Sequence, residues 1–205
     1  MSSYPMRDPL KDDLLTPQNS ALIIIDYQPT QVNSINSMSR KQLVSNIVIV
    51  TELVKAYGLP IVLSTVNVKT GANKETVSSL LSVLQGIPSY DRTNINAWED
   101  KEFHEAVKNT GRKKLIMCAL WTEACLAFPT LDALKDGYEV YPVVDAVGGT
   151  SIIAHETALR RVEQAGAKLI SIAQLACELQ RDWSRKETAP AMVKALTDVG
   201  AFPPL

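Results

Sequence analysis

The sequence predicts an α/β fold, a mostly parallel sheet with helices on both faces. Three observations carry this. The apolar runs ALIIID (21–26) and KKLIMCAL (113–120) are continuous rather than alternating, as in strands buried on both faces. Segments of helical spacing alternate with such runs, and that order builds right-handed βαβ units. Several of these helical segments stop at a glycine, as at Gly58, Gly111 and Gly137.

Taken in order, residues 1–19 hold three prolines and mixed charge and are expected to lie over the surface as an arm. After the strand at 21–26, residues 39–57 place Leu43, Ile47, Val50 and Val54 on one helical face and stop at Gly58-Leu59-Pro60. PIVLSTV (60–66) reads as a strand, KETVSSLLSVL (74–84) as a helix and EDKEFHEAVKNTG (99–111) as a helix with acids in its first turn. KKLIMCAL is the next strand, followed by a helix over 122–137, a strand over 138–146, a helix over 151–166 and a strand over 167–172. QLACELQRDW starts a further helix. The chain therefore divides into the arm (1–19), one α/β domain (20–183) and a C-terminal helical extension (184–205) suited to packing or subunit contact.

Composition narrows the function classes. With 46% apolar and 21% charged residues and a net charge of −1, the chain has the make-up of a soluble globular protein. It lacks a basic stripe for nucleic acid and an apolar run long enough to span a bilayer. Three cysteines without a C-x-x-C pair, behind an N-terminus with no export signal, suit free thiols in a reducing cytosol.

In an open parallel sheet, ligands bind beyond the carboxyl ends of the strands. That edge collects Asp26, Asn67, Trp121 to Cys125, and Asp145. A strand-end aspartate also serves to cap a turn, and an isolated cysteine is most often core. Cys118 and Cys177 fit the core role. Cys125 falls in the first turn of its helix, where unpaired N–H groups and the macrodipole favour a thiolate and lower its pKa. Pro129 has no N–H for the Cys125 carbonyl, so the helix is expected to be irregular there. Arg92, in RTNINAW (92–98), adds a cation that would favour a thiolate and a developing oxyanion. Gly148-Gly149 lacks the dinucleotide fingerprint and reads as a turn.

The stretches ALIIIDYQ, RTNINAWED, LWTEACLAFPTLDAL and YEVYPVVDAVGGTS, in that order, resemble the isochorismatase-like cysteine hydrolase superfamily, and its YcaC-like branch most of all. The resemblance implies a Rossmann-like three-layer α/β/α sandwich with an Asp–Lys–Cys triad. Asp26 matches the aspartate, Cys125 the nucleophile, and Arg92 stands where the family has lysine. Arginine keeps the charge but gives up no proton at neutral pH. Also implied are a non-proline cis peptide at Leu120-Trp121 and an oxyanion hole from the N–H groups of Trp121 and Cys125. A pocket around Tyr27, Gln28, Asn67, Asn96, Trp98 and Trp121 would take a small amide, carbamate or related substrate, cleaved through a thioester. The family's nicotinamidases hold zinc with an aspartate and two histidines between the aspartate and lysine motifs. Here the only histidines, His104 and His155, lie elsewhere and read as surface residues, so no metal or other cofactor is expected. By the same resemblance the chain forms a homo-oligomer, a tetramer or octamer. Two other readings stay open, a thiol-redox protein using Cys125 and an inactive oligomeric binding member of the fold.

Overall fold

The computed structural model describes residues 7–203. Five strands, β1 (Ser20–Ile25), β2 (Ile61–Val66), β3 (Ser89–Arg92), β4 (Lys114–Ala119) and β5 (Glu139–Pro142), form one parallel sheet in the order β3-β2-β1-β4-β5. Every residue of β1 and β4 is buried, as their unbroken apolar runs require.

Helix α1 (Pro29–Asn33) is a short turn after β1. The longer helices are α2 (Arg40–Ala56), α4 (Lys101–Asn109), α5 (Ala127–Lys135), α6 (Ile152–Gln164), α7 (Ile172–Gln180) and α8 (Ala189–Asp198), with the short α3 (Ser78–Val83) before β3. Side-chain caps fix several starts: Ser39, Asp100, Ser151 and Ser171 each accept a backbone N–H three residues on. Helix α2 packs with α3, α7 and α8, and α5 packs with α6. Right-handed crossovers put α2 and α3 on one face and α4, α5 and α6 on the other. The chain fills the β1-β2-β3 side first and then returns to β4, so the strand order reverses between β1 and β4. Ligands bind at such a switch point.

Four expectations change. The helix expected over 74–84 is only α3, because the residues up to Val77 belong to the loop that follows β2. The helix over 122–137 splits into a π-helical turn (Thr122–Leu126) and α5. The strand over 138–146 ends at Pro142 and gives way to a 3-10 turn (Val144–Ala146). The strand over 167–172 shrinks to a single bridge, Val143 to Ile170. Lys168 N–H still donates to Val140 O (2.9 Å), Ile170 N–H to Pro142 O (3.0 Å) and Val144 N–H to Ile170 O (2.8 Å). The one ladder bond missing is the N–H that Pro142 cannot offer to Lys168. Strand β3 was not expected, since SYDR is short, polar and half-exposed at a sheet edge.

Residues 7–19 are tied to the sheet edge opposite the switch point. The buried Lys114 ammonium donates to the Asp12 and Asp13 carbonyls, both at 2.6 Å. Leu15 is fully buried, and its N–H donates to Glu178 at 2.7 Å. Residues 1–6 of the expected arm and 204–205 of the expected extension lie outside the described residues.

Candidate active site

The site is assembled where β1, β2, β3 and β4 end. Asp26, just past β1, and Asn67, just past β2, both have positive φ (63° and 61°), costly for side-chain-bearing residues and held only by their surroundings. The Asp26 N–H still donates to Ser64 O at 3.0 Å, which keeps the strained residue in register. Gln28, fully buried, donates to Val66 O (3.0 Å) and Lys74 O (2.6 Å) and accepts from Val66 N–H (2.9 Å). It thereby stitches the β1 exit to the loop after β2.

Arg92 closes β3 and extends across β2 to reach β1. Its Nη1 and Nη2 donate to the two Asp26 oxygens, each at 2.7 Å, in a bidentate pair with both side chains fully buried. Nη1 also donates to Ser64 Oγ (3.1 Å) and Thr65 O (3.0 Å), and Nη2 to Ile95 O (3.1 Å). Burial opposes the charge, but the Asp26 carboxylate more than offsets it and holds the guanidinium above its ordinary pKa.

Cys125 comes from the β4 side. The Leu120-Trp121 peptide is cis, and the π turn begins directly after it. The Trp121 carbonyl accepts from Leu126 N–H at 3.0 Å, five residues on rather than four. Pro129 follows in α5 without an N–H for Cys125 O, so regular α-helix starts only at Ala127. The Cys125 thiol, almost fully buried, faces the Ile95 carbonyl at 3.7 Å, and Arg92 Nη2 lies 4.0 Å from its sulfur. The sequence led us to expect a lowered thiol pKa, and here the structure corrects the expectation. Burial pushes the thiol up and the neighbouring Asp26 adds to this. The Arg92 cation and the Trp121 N–H oppose it, but only in part. The resting sulfur is a protonated thiol.

Of the remaining residues singled out from sequence, Trp121 is half-buried beside the π turn, its indole donating to Ser34 Oγ at 2.6 Å. Tyr27 is sealed in the core, with its hydroxyl on Ala146 O. Asn67 shapes the loop after β2, its N–H donating to Arg92 O (2.8 Å) and its carbonyl accepting from Asn73 N–H (2.9 Å). Asn96 caps a 3-10 turn (Ala97–Glu99) and donates to Asp132 on α5 at 2.7 Å. Trp98 points toward the opposite sheet edge, where its indole donates to Asp136 (2.8 Å) and its ring packs on Phe103, His104 and Tyr138. It packs the fold rather than lining the site. Asp145 caps α7, accepting from Ile172 N–H through both oxygens (3.0 and 3.2 Å).

The Isochorismatase domain family matches residues 20–174. The chain belongs to this family. It is 36% identical over 170 residues to the probable hydrolase YcaC of Escherichia coli, covering 82% of this chain and 81% of that protein. The crystal structure of E. coli YcaC, described as an octameric hydrolase of unknown specificity, superposes with a TM-score of 0.85 at 32% identity over 91% of each chain. YcaC from Pseudomonas aeruginosa, solved with hexane-2,5-diol and covalent acrylamide, gives 0.81 at 29% identity, covering 97% of this chain and all of that one.

In this isochorismatase-family chain a second layer of residues, missed from sequence, braces the π turn. Thr122 Oγ1 and His155 Nδ1 lie 2.8 Å apart, so His155 is a half-buried brace on α6 rather than a surface residue. Burial holds its imidazole below the ordinary pKa, partly offset by Glu123 and Glu156. Glu123 Oε1 accepts from Thr150 N–H (3.0 Å) and Thr150 Oγ1 (2.5 Å). Gly149 fits closely here, since a Cβ on it would stand 2.7 Å from Glu123 Oε2. Ser64 and Ile95 were missed because one acts through a hydroxyl inside a buried strand and the other through a backbone carbonyl, which no residue type marks. Among the described residues, no group of three or more His, Cys, Asp or Glu side chains is placed to hold a metal ion. No helix among them is long and apolar enough to cross a membrane.

Proposed function

We propose that the protein hydrolyses small amides or related C–N substrates through a thioester on Cys125. The reading rests above all on one observation, the convergence of the buried Asp26–Arg92 pair and the Cys125 thiol at the switch point of the sheet. The likeness to E. coli YcaC, a probable hydrolase, supports the reaction class. Covalent acrylamide in the P. aeruginosa relative supports a reactive nucleophile in a protein of this fold.

Because the thiol is protonated at rest, it ionises in step with attack. The proton passes to Asp26 as sulfur bonds to the carbonyl carbon, and the N–H groups of Trp121 and Cys125 take the oxyanion. Asp26 then gives the proton to the leaving nitrogen, the C–N bond breaks, and ammonia or an amine departs from the thioester. Water adds next, with Asp26 again the base. Collapse breaks the C–S bond, returns a proton to sulfur and releases the acid. Arg92 holds Asp26 in place and keeps its fixed charge beside the reacting atoms. It shuttles no proton. In this reading the protein is a homo-oligomer like octameric E. coli YcaC. Its exposed Ile152 and Ile153, 57% and 78% accessible, are suited to subunit contact.

Ammonia release from a panel of small primary amides tests the reading. The wild type is expected to turn over at least one, and Cys125→Ala to lose about a thousandfold or more in rate. Activity surviving in Cys125→Ala sinks the proposal.

A further inference from the structure

The Arg92 guanidinium carries five N–H donors, and all but one have acceptors. Nε–H has no hydrogen-bond partner, although the side chain is sealed from solvent. An unpaired buried donor on a charged group is costly, and buried polar groups are as a rule hydrogen-bonded. The planar geometry of the group fixes where that donor points. The end-on edge, one hydrogen from each Nη, is taken by Asp26. The outer Nη1 hydrogen faces Ser64 and Thr65. The outer Nη2 hydrogen faces Ile95 O and the Cys125 sulfur, and Nε–H lies on that same edge.

The acceptor now capping this edge is the Ile95 carbonyl, which also takes the Cys125 thiol hydrogen. It belongs to residues 93–95, whose side chains are exposed, Ile95 by 65%. One backbone oxygen from a lightly anchored segment therefore stands where a ligand oxygen would meet both the nucleophile and the guanidinium. A lysine at this position would lack the side-on edge altogether.

We propose that the Nε–H and Nη2–H edge of Arg92 recognises a second acceptor oxygen on the acyl part of the substrate, one carbon from the scissile carbonyl. The preferred substrates are then 2-hydroxy, 2-oxo or oxamate-type amides. In the bound complex, the scissile oxygen faces the Trp121 and Cys125 N–H groups, and the second oxygen takes the place of Ile95 O on Arg92. This rests on Cys125 being the nucleophile.

Lactamide and propionamide differ by one hydroxyl at the relevant carbon. Each is titrated as a protectant of Cys125 against iodoacetamide in the full-length protein, with adducts located by peptide mass spectrometry. Cys177, expected in the core but exposed on α7, serves as internal control. Lactamide is expected to half-protect Cys125 at a concentration about tenfold lower, the yield of one charge-assisted hydrogen bond, without slowing Cys177. In Arg92→Lys, with its fold checked by circular dichroism, the two half-protection concentrations should converge. Equal protection by both amides in the wild type, no protection by either, or a lactamide preference retained in Arg92→Lys overturns the proposal while leaving the nucleophile reading intact. Labelling is run at mildly alkaline pH, where the buried thiol of Cys125 gains reactivity, and a Cys125 that stays unlabelled there while Cys177 reacts overturns the nucleophile reading and the proposal with it. The wild-type comparison decides even if the variant does not fold.

Discussion

At the scale of single residues, Asp26 acts on Cys125 in two opposed ways. Its negative charge keeps the thiol protonated, yet in the proposed reaction its oxygen takes the thiol proton. Asp26→Asn separates these roles. It removes the carboxylate and leaves Arg92 facing the sulfur alone, and both changes move the thiol pKa down. Iodoacetamide labelling of Cys125 in the wild type should climb with pH to mildly alkaline values without a plateau. In Asp26→Asn it should be faster at neutral pH by about tenfold for each unit the pKa falls, while amide turnover is lost. Unchanged labelling would show that the two groups are not coupled. The variant also leaves a buried arginine unpaired, at a cost of about 3–5 kcal/mol. Asp26 and Cys125 were legible in the sequence because a strand end and a helix start are both marked by pattern. The raised thiol pKa was not, because it depends on how deeply the sulfur is buried and on a carboxylate about a hundred residues away in the chain. Nor was the Ile95 carbonyl, which any residue type would supply.

At the scale of elements, the π turn gives Cys125 its position. Pro129 withholds the N–H that would continue a regular helix through Cys125 O, and the extra residue of the turn is accommodated instead. Pro129→Ala restores that donor. We expect the turn to regularise and kcat/KM on amides to fall at least about tenfold, as misplacement of a reacting group does. The melting temperature should change little, since the new helical bond offsets the lost burial of the ring to within about 1 kcal/mol. Full activity in the variant would show that the turn does not depend on the proline. The irregularity itself was visible as Pro129 four residues after Cys125, and β1, β4 and α2 were plain from periodicity. The 167–172 strand was over-read from the same kind of pattern. Its apolar residues do lie along β5, but Pro142 leaves the ladder one donor short. Strand β3, which delivers Arg92, was hidden by being short and polar.

At the scale of the whole molecule, the sheet separates function from anchorage. One edge gathers Asp26, Arg92 and Cys125. At the other, the Lys114 ammonium holds the Asp12 and Asp13 carbonyls and locks residues 7–19 down. Lys114→Met should cost about 2–4 kcal/mol by leaving those carbonyls without their donor, seen as a lower melting temperature and faster proteolysis before Ser20. Unchanged melting and digestion would show that the lock carries no weight. That a site would lie beyond the carboxyl ends of the strands followed from the alternation of strands and helices, but the switch point and the strands that meet there required the order β3-β2-β1-β4-β5. Whether catalysis runs through a covalent bond to Cys125 is decided by acid-quenching the protein during amide turnover and weighing its peptides. The substrate's acyl mass is expected on the peptide containing Cys125 in the wild type and is expected to be absent in Asp26→Asn. Steady ammonia release with no acyl mass on Cys125, and with turnover preserved in Cys125→Ala, would contradict a covalent route through Cys125.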